Sequence, residues 1–190
     1  HIKMIGSVAT LAVCLGSAEV RVGLPKVRVR IRKLSKINRK GVVSMAVIKL
    51  ASTNKISREK WLELRQKGIG GSDAGTILGV NPYETLYELW LRKTNKIGNK
   101  ETNSAMQRGI YLEPLVAEMF VEKNEGAKVR RVNQMLQRRD CPFMLANLDR
   151  QYKLADGTRG ILECKTTSGR NRKKWLDEPP EYYQAQVQHY

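Results

Sequence analysis

The segment from Gly160 to Thr167 constrains the fold of this chain more than any other stretch. Its sequence, GILECKTT, is rich in apolar and β-branched residues, which is typical of a short, half-buried strand. Glu163 and Lys165 are two residues apart, so on a strand their side chains share one face, while Cys164 points to the other face. The pattern therefore predicts a carboxylate and an ammonium group projecting together from a buried strand.

A second strand is predicted upstream, from Met144 to Asp149, and it ends in a carboxylate. Residues 155–158 read Ala-Asp-Gly-Thr, a composition typical of the turn in a β-hairpin. Such a turn folds the two segments back on each other. We therefore expect Asp149, Glu163 and Lys165 to converge at one end of a small sheet.

These three residues suit metal-assisted hydrolysis. Two carboxylates bind a hard cation such as Mg²⁺, which lowers the pKa of a bound water and offsets charge on a phosphate. A neighbouring Lys can orient or deprotonate that water. The alternative is an ordinary ion pair on a hairpin, which is the commoner meaning of an isolated Glu-x-Lys motif.

The charge of the chain points to a polyanionic partner. The net charge is +17 and the isoelectric point is about 10.0, and nucleic acid is the first candidate for such a protein. An anionic membrane surface is the second, but the basic residues are not confined to one amphipathic helix. The cysteines Cys14, Cys141 and Cys164 are scattered and odd in number, which disfavours a disulfide framework and is typical of a reducing cytoplasm.

The basic residues are concentrated near the N-terminus. Residues 1–44 carry ten basic residues and one acidic residue, and residues 27–32 alternate apolar with basic. Such a segment suits a strand or an arm on phosphates, but an appended stretch is the favoured interpretation, with Met45 as a natural start. We therefore divide the chain into a basic extension, 1–44, and a core, 45–190.

A glycine-rich turn follows the first predicted helix of the core. Ser57 is predicted to cap that helix, which carries Arg65 near its end, and Gly70-Gly71-Ser72 then leads into a short helix. Free amides, the Ser72 hydroxyl and the Arg65 guanidinium suit a phosphate. Glycine-rich turns more often only connect helices, and Asp73 speaks against an anion unless it caps the helix.

Later segments add further candidates. A long helical region opens at Ser104, and Pro114 predicts either a kink or two helices, with Glu113 at the discontinuity. Residues 169–175 form a basic cluster with an aromatic residue, which suits contacts to a nucleic-acid backbone or a solvated loop equally. A Gln- and Tyr-rich helix, 181–190, ends the sequence.

In this order, Glu113, Asp149, Glu163-Cys164-Lys165 and the Gln-rich helix resemble the PD-(D/E)XK nuclease superfamily. More closely, the chain from about Trp61 resembles the YqaJ-type viral recombinases, relatives of the lambda-type alkaline exonuclease. The resemblance implies an α/β core with a short mixed sheet flanked by helices. Since relatives continue beyond the position of Tyr190, we expect the core to be incomplete at its C-terminus.

The resemblance also implies a Mg²⁺-dependent exonuclease, with Mn²⁺ as a substitute ion, that degrades linear double-stranded DNA from 5′ to 3′ during phage recombination. In the implied site, Asp149 and Glu163 bind the metal, Lys165 activates the water, and Glu113 supports a second metal or its waters. Gln186 lines the site, and Arg65 and Ser72 bind the 5′-phosphate. Further DNA contacts come from Arg170, Arg172 and Lys173. The implied partners are DNA ends, a single-strand annealing protein and two further copies in a trimeric ring, in the host cytoplasm and without a membrane.

One residue departs from the family pattern, and two other functions stay open. Relatives usually carry Gly after the metal-binding Asp, whereas this chain has Arg150, which could crowd the site or contact phosphate. An endonuclease of the same superfamily is one alternative; an iron–sulfur nuclease is disfavoured because the chain has no cysteine cluster. A DNA-binding module without catalysis is the other, because high positive charge gives affinity without chemistry.

Overall fold

The computed structural model describes residues 2–5, 8–15, 47–169, 171, 175 and 178–190. These residues form a mixed α/β structure with five helices and two antiparallel sheets. The strands are β1 Ile2–Ile5, β2 Val8–Leu15, β3 Val47–Ser52, β4 Lys128–Arg131, β5 Gln134–Arg138, β6 Leu145–Asn147, β7 Arg150–Lys153 and β8 Arg159–Ser168. The helices are α1 Arg58–Gln66, α2 Gly71–Ile77, α3 Leu86–Lys93, α4 Ser104–Lys123 and α5 Glu181–His189.

The described elements fall into two compact units. The first contains β1, β2, α4, β4, β7 and β8, and its sheet has the strand order β1-β2-β8-β7-β4. The second contains β3, α1, α2, α3, β5, β6 and α5, with a sheet ordered β3-β5-β6. The sequence had predicted one mixed sheet, whereas the named strands of the described chain pair antiparallel in two sheets. Short turns join several of these neighbouring strands, and such turns permit only antiparallel pairing.

The core of the first unit forms between α4 and the sheet. One face of α4 packs Val116, Ala117 and Phe120 against Tyr152 and Leu162, and these five residues are buried. Leu162 and Cys164 point into this core from β8, so Glu163 and Lys165 lie on the opposite face, as the alternation of a strand requires. Burial of α4 and β8 against each other therefore determines which face of β8 carries the charged residues.

The predicted turn is present, but it joins a different pair of strands. The hairpin consists of β7 and β8, with Arg150 opposite Leu162, while β6 pairs with β5 in the other sheet. In the turn, Gly157 has a φ of +86°, and the Asp156 side chain accepts a hydrogen bond of 2.8 Å from the Thr158 amide. Asp149 consequently lies just before β7 instead of at the end of a long strand.

Helix α4 differs from expectation at its N-cap, whereas α1 agrees with it. Asn103, and not Ser104, caps α4 by accepting from the Met106 amide, and α4 continues as one helix through Pro114. Ser57 caps α1 as predicted, accepting from the Lys60 amide. Packing on α4 supplies the stability that keeps the helix intact although Pro114 lacks an amide hydrogen.

Part of the N-terminal extension belongs to the first sheet. Strand β2 pairs along its whole length with β8, with Val8 opposite Ser168 and Leu15 opposite Ile161. The alternating basic segment 27–32 lies outside the described residues. The division into an extension and a core stays a prediction. None of the helices in the described ranges is long and apolar enough to cross a membrane.

Candidate functional site

Asp149, Glu163 and Lys165 meet at one place in the first sheet. The Cys164 amide of β8 donates a hydrogen bond of 2.9 Å to Asp149 Oδ2, which fixes the Asp149 carboxylate beside β8. Lys165 Nζ lies 2.8 Å from Glu163 Oε1. Glu163 is only 2% exposed. The convergence predicted from the sequence is therefore present in the structure.

The environment of this site disfavours negative charge in the absence of a cation. Burial raises the pKa of Glu163 to about 7, with Asp149 and Glu113 adding to the effect and Lys165 opposing it. Burial also raises the pKa of Asp149, and Lys165 and the Cys164 amide oppose that rise. Carboxyl groups whose pKa values are raised by desolvation and by a neighbouring carboxylate are stabilised in their charged form by a bound cation.

Glu113 approaches the site from α4 but is held by two arginines. Arg150 Nη1 donates to Glu113 Oε1 over 2.5 Å and to the Asp149 carbonyl over 2.9 Å. Arg131 Nη2 donates to the same Glu113 oxygen over 3.2 Å. Arg150 is buried, so its guanidinium is directed into the protein and does not project outward toward a phosphate.

The donor atoms at the site fit a hard divalent cation. Asp149 and Glu163 supply carboxylate oxygens, the ligand type that Mg²⁺ prefers, and Mg²⁺ commonly binds to one or two carboxylates while keeping waters. Within the described ranges, no three His, Cys, Asp or Glu side chains are grouped so that they could hold a metal ion. Asp149 and Glu163 therefore fit a divalent ion as carboxylate ligands.

Arg65 and Ser72 lie together in the second unit. Arg65 Nη2 donates to Ser72 Oγ over 2.5 Å, and the Arg65 guanidinium stacks over the Trp61 ring, 4.7 Å from its centroid. Arg58 stacks on the same ring at the same distance. Ser72 is exposed, whereas burial lowers the pKa of Arg65 from its ordinary value, opposed by Asp73. An exposed hydroxyl beside an oriented guanidinium can bind a phosphate oxygen.

The side chains of Asp73 and Lys93 lie next to the pair formed by Arg65 and Ser72. Asp73 is 2% exposed and accepts a hydrogen bond of 2.9 Å from the Gly70 amide, so it caps α2 as the sequence suggested. Lys93 Nζ lies 2.7 Å from Asp73 Oδ2 and donates to the carbonyl of Arg65 over 2.9 Å. The negative charge that argued against an anion site is thus paired with Lys93.

The remaining predicted residues are placed as follows. Gln186 is buried on α5, in the second unit, and its Nε2 donates to the Tyr190 hydroxyl over 2.9 Å. Arg170, Arg172 and Lys173 lie outside the described residues, so their role as DNA contacts stays a prediction. Trp175, in the same basic cluster, is 5% exposed.

Sequence reasoning missed three contacts in these clusters. The stacking of Trp61 on Arg65 had a signal, because residues four apart share a helix face. The pairing of Arg150 with Glu113 and the support from Lys93 had none, since the partners are 37 and 28 residues apart in the chain. Only the folded structure shows these contacts.

Comparison with known proteins agrees with this picture. The sequence model for the YqaJ-like viral recombinase domain matches residues 60–190. An uncharacterized protein named YqaJ from Bacillus subtilis (strain 168) is 49% identical over 143 residues. That alignment covers 74% of this chain and 44% of the relative, so the chain spans less than half of the relative's length. No solved structure matches the chain significantly.

Proposed function

Because the chain belongs to the YqaJ-like viral recombinase domain family, we propose that it is a metal-dependent DNA exonuclease of the phage recombination type. The observation that carries the proposal is the convergence of Asp149, Glu163 and Lys165 on one face of the first sheet. We further propose that the core, residues 45–190, has a PD-(D/E)XK fold, that digestion runs from 5′ to 3′ on linear duplex DNA, and that the cation is Mg²⁺, with Mn²⁺ as a substitute.

The residues of the site have distinct tasks in this proposal. Asp149 and Glu163 hold the cation, and Glu113 supports its waters or a second ion. When bound, the ion lowers the pKa of a water ligand and offsets negative charge on the scissile phosphate. Lys165, held beside Glu163 at 2.8 Å, orients the attacking water or takes its proton. Gln186 keeps in this proposal the role that the resemblance implies for it, as a further residue of the active site.

Recognition of the DNA end is assigned to the second unit. Arg65 and Ser72 bind the terminal 5′-phosphate, which selects phosphorylated ends. Arg170, Arg172 and Lys173 contact the DNA backbone. The net charge of +17 supports a polyanionic substrate. We also propose that three copies assemble into a ring. The ring would act with a single-strand annealing protein in the host cytoplasm.

The test is digestion of linear duplex DNA with 5′-phosphate or 5′-hydroxyl ends beside a closed circle, in Mg²⁺ and in EDTA. We expect Mg²⁺-dependent loss of the phosphorylated linear DNA, and at least a 100-fold lower rate for Lys165→Ala. Lys153→Ala, which removes an exposed lysine of β7, is the matched control and should retain activity.

Other results would change the assignment. Cleavage of the closed circle would identify an endonuclease. Binding of DNA without cleavage of any substrate would identify a DNA-binding module.

A further inference from the structure

Arg150 carries a buried positive charge that is paired with a carboxylate. Its side chain is 8% exposed, and one of its nitrogens donates to Glu113 Oε1 and to the Asp149 carbonyl. A guanidinium stays protonated under all ordinary conditions. Moving it away would leave the Glu113 carboxylate without its closest partner, which is costly for a pair that is largely withdrawn from water.

The same contacts place two guanidinium groups on one carboxylate oxygen of Glu113. Glu113 Oε1 accepts from Arg150 over 2.5 Å and from Arg131 over 3.2 Å. A divalent ion at Glu113 would lie within a few ångströms of the Arg150 charge, where repulsion between like charges is strong. Consistently, no three acidic, His or Cys side chains of the described ranges are grouped to hold a metal ion.

We propose that Arg150 is a positioning residue that holds Glu113 in an ion pair and thereby restricts the site to one divalent cation, bound by Asp149 and Glu163. The guanidinium supplies the positive charge that a second ion would otherwise bring. Its hydrogen bond to the Asp149 carbonyl also ties the backbone of a metal ligand to α4 through Glu113. This inference rests on the proposed metal-dependent function. Of the two roles proposed for Glu113, it excludes binding of a second ion and keeps the support of metal-bound water.

The number of bound ions tests the proposal directly. Mn²⁺ is titrated into the full chain, and the electron paramagnetic resonance signal of free Mn²⁺ counts the ions that bind. We expect one ion for the unaltered protein and two for Arg150→Ala, in which Glu113 is released. The double variant Arg150→Ala/Glu113→Gln should return to one, and Arg150→Lys, which keeps the charge, should stay at one.

Arg131→Ala is the matched control, because it removes a contact to the same Glu113 oxygen from a side chain that is 54% exposed. We expect it to bind one ion. Two ions in the unaltered protein, one ion in a folded Arg150→Ala variant, or two ions in Arg131→Ala would each overturn the proposal. None of these three results would affect the proposed nuclease activity.

Glu113→Gln keeps the proposal testable if Arg150→Ala does not fold, as judged by circular dichroism. Because Glu113 is not a ligand in this proposal, the variant should still bind one ion. A folded Glu113→Gln variant that binds no ion, or two, would overturn it. Absence of bound Mn²⁺ in the unaltered protein, together with absence of nuclease activity, would instead remove the proposed function itself.

Discussion

At the scale of single residues, each carboxylate of the site has a different partner. Glu163 pairs with Lys165, Glu113 pairs with Arg150, and Asp149 accepts from the Cys164 amide. Desolvation raises the pKa values of Asp149 and Glu163, so ionising these carboxyl groups in the folded protein costs free energy at neutral pH.

Glu163→Gln should alter how stability depends on pH. The pKa of Glu163 is raised to about 7 from its ordinary 4.5, so the folded protein binds more protons than the unfolded chain between these values. The free energy of unfolding therefore falls as pH rises through this window and is lowest above pH 7. We expect the melting temperature in EDTA to drop less between pH 5 and pH 8 in the variant. Glu118→Gln, at an exposed position of α4, is the control, and equal drops in all three proteins would contradict the prediction.

Mg²⁺ should stabilise the protein through the same carboxylates. A ligand that binds only the folded state raises the free energy of unfolding by about 2.7 kcal/mol at 100 times its Kd. At pH 8 we expect added Mg²⁺ to raise the melting temperature of the unaltered protein, and removal by EDTA to reverse the rise. Asp149→Asn should show no such shift, and a full shift in that variant would exclude Asp149 as a ligand.

Arg65→Lys should remove the preference for phosphorylated ends. Lysine keeps the charge but lacks the planar fork that lies against Trp61 and reaches Ser72. We expect digestion of 5′-phosphorylated duplex to slow by about tenfold or more, while digestion of 5′-hydroxyl duplex changes little. Arg58→Lys is the control, because Arg58 stacks on the same ring without contacting Ser72. An unchanged ratio between the two substrates in Arg65→Lys would refute the assignment.

At the scale of elements, α2 packs against α5 in the second unit so closely that a glycine is required. A Cβ added at Gly75 would lie 2.7 Å from Tyr182 Cβ and 2.9 Å from Tyr182 Cα. Backbone atoms cannot move as easily as the end of a side chain. Close packing against α5 therefore explains why α2, GSDAGTI, consists mostly of small residues. One of these small residues, Ser72, also accepts a hydrogen bond from Arg65.

Gly75→Ala should destabilise the protein although alanine favours helices. Overpacking costs about 1–3 kcal/mol, while the gain in helix propensity is about 1 kcal/mol. We expect a net loss of up to about 2 kcal/mol in the free energy of unfolding, measured by urea denaturation. Gly98→Ala serves as control, because nothing lies within 4 Å of the added Cβ. A stabilised Gly75→Ala variant would show that the helices can separate without cost.

At the scale of the whole molecule, the charge of +17 and the order of the motifs agree with the family that the comparisons show. The short hairpin and the face of β8 were predictable because turn residues and strand alternation are local properties. The exposure of Leu86 and Trp90 on α3 is not a local property of this kind. Their burial depends on whether another element covers that side of the helix.

The sequence alone determined the strand that carries Glu163 and Lys165, the turn at Asp156-Gly157 and the cap at Ser57, because each depends on residues a few positions apart. The tertiary structure decided that β6 and β7 belong to different sheets and that Arg150 pairs with Glu113. Those outcomes join residues far apart in the chain, and their free energies depend on packing and burial that exist only after folding.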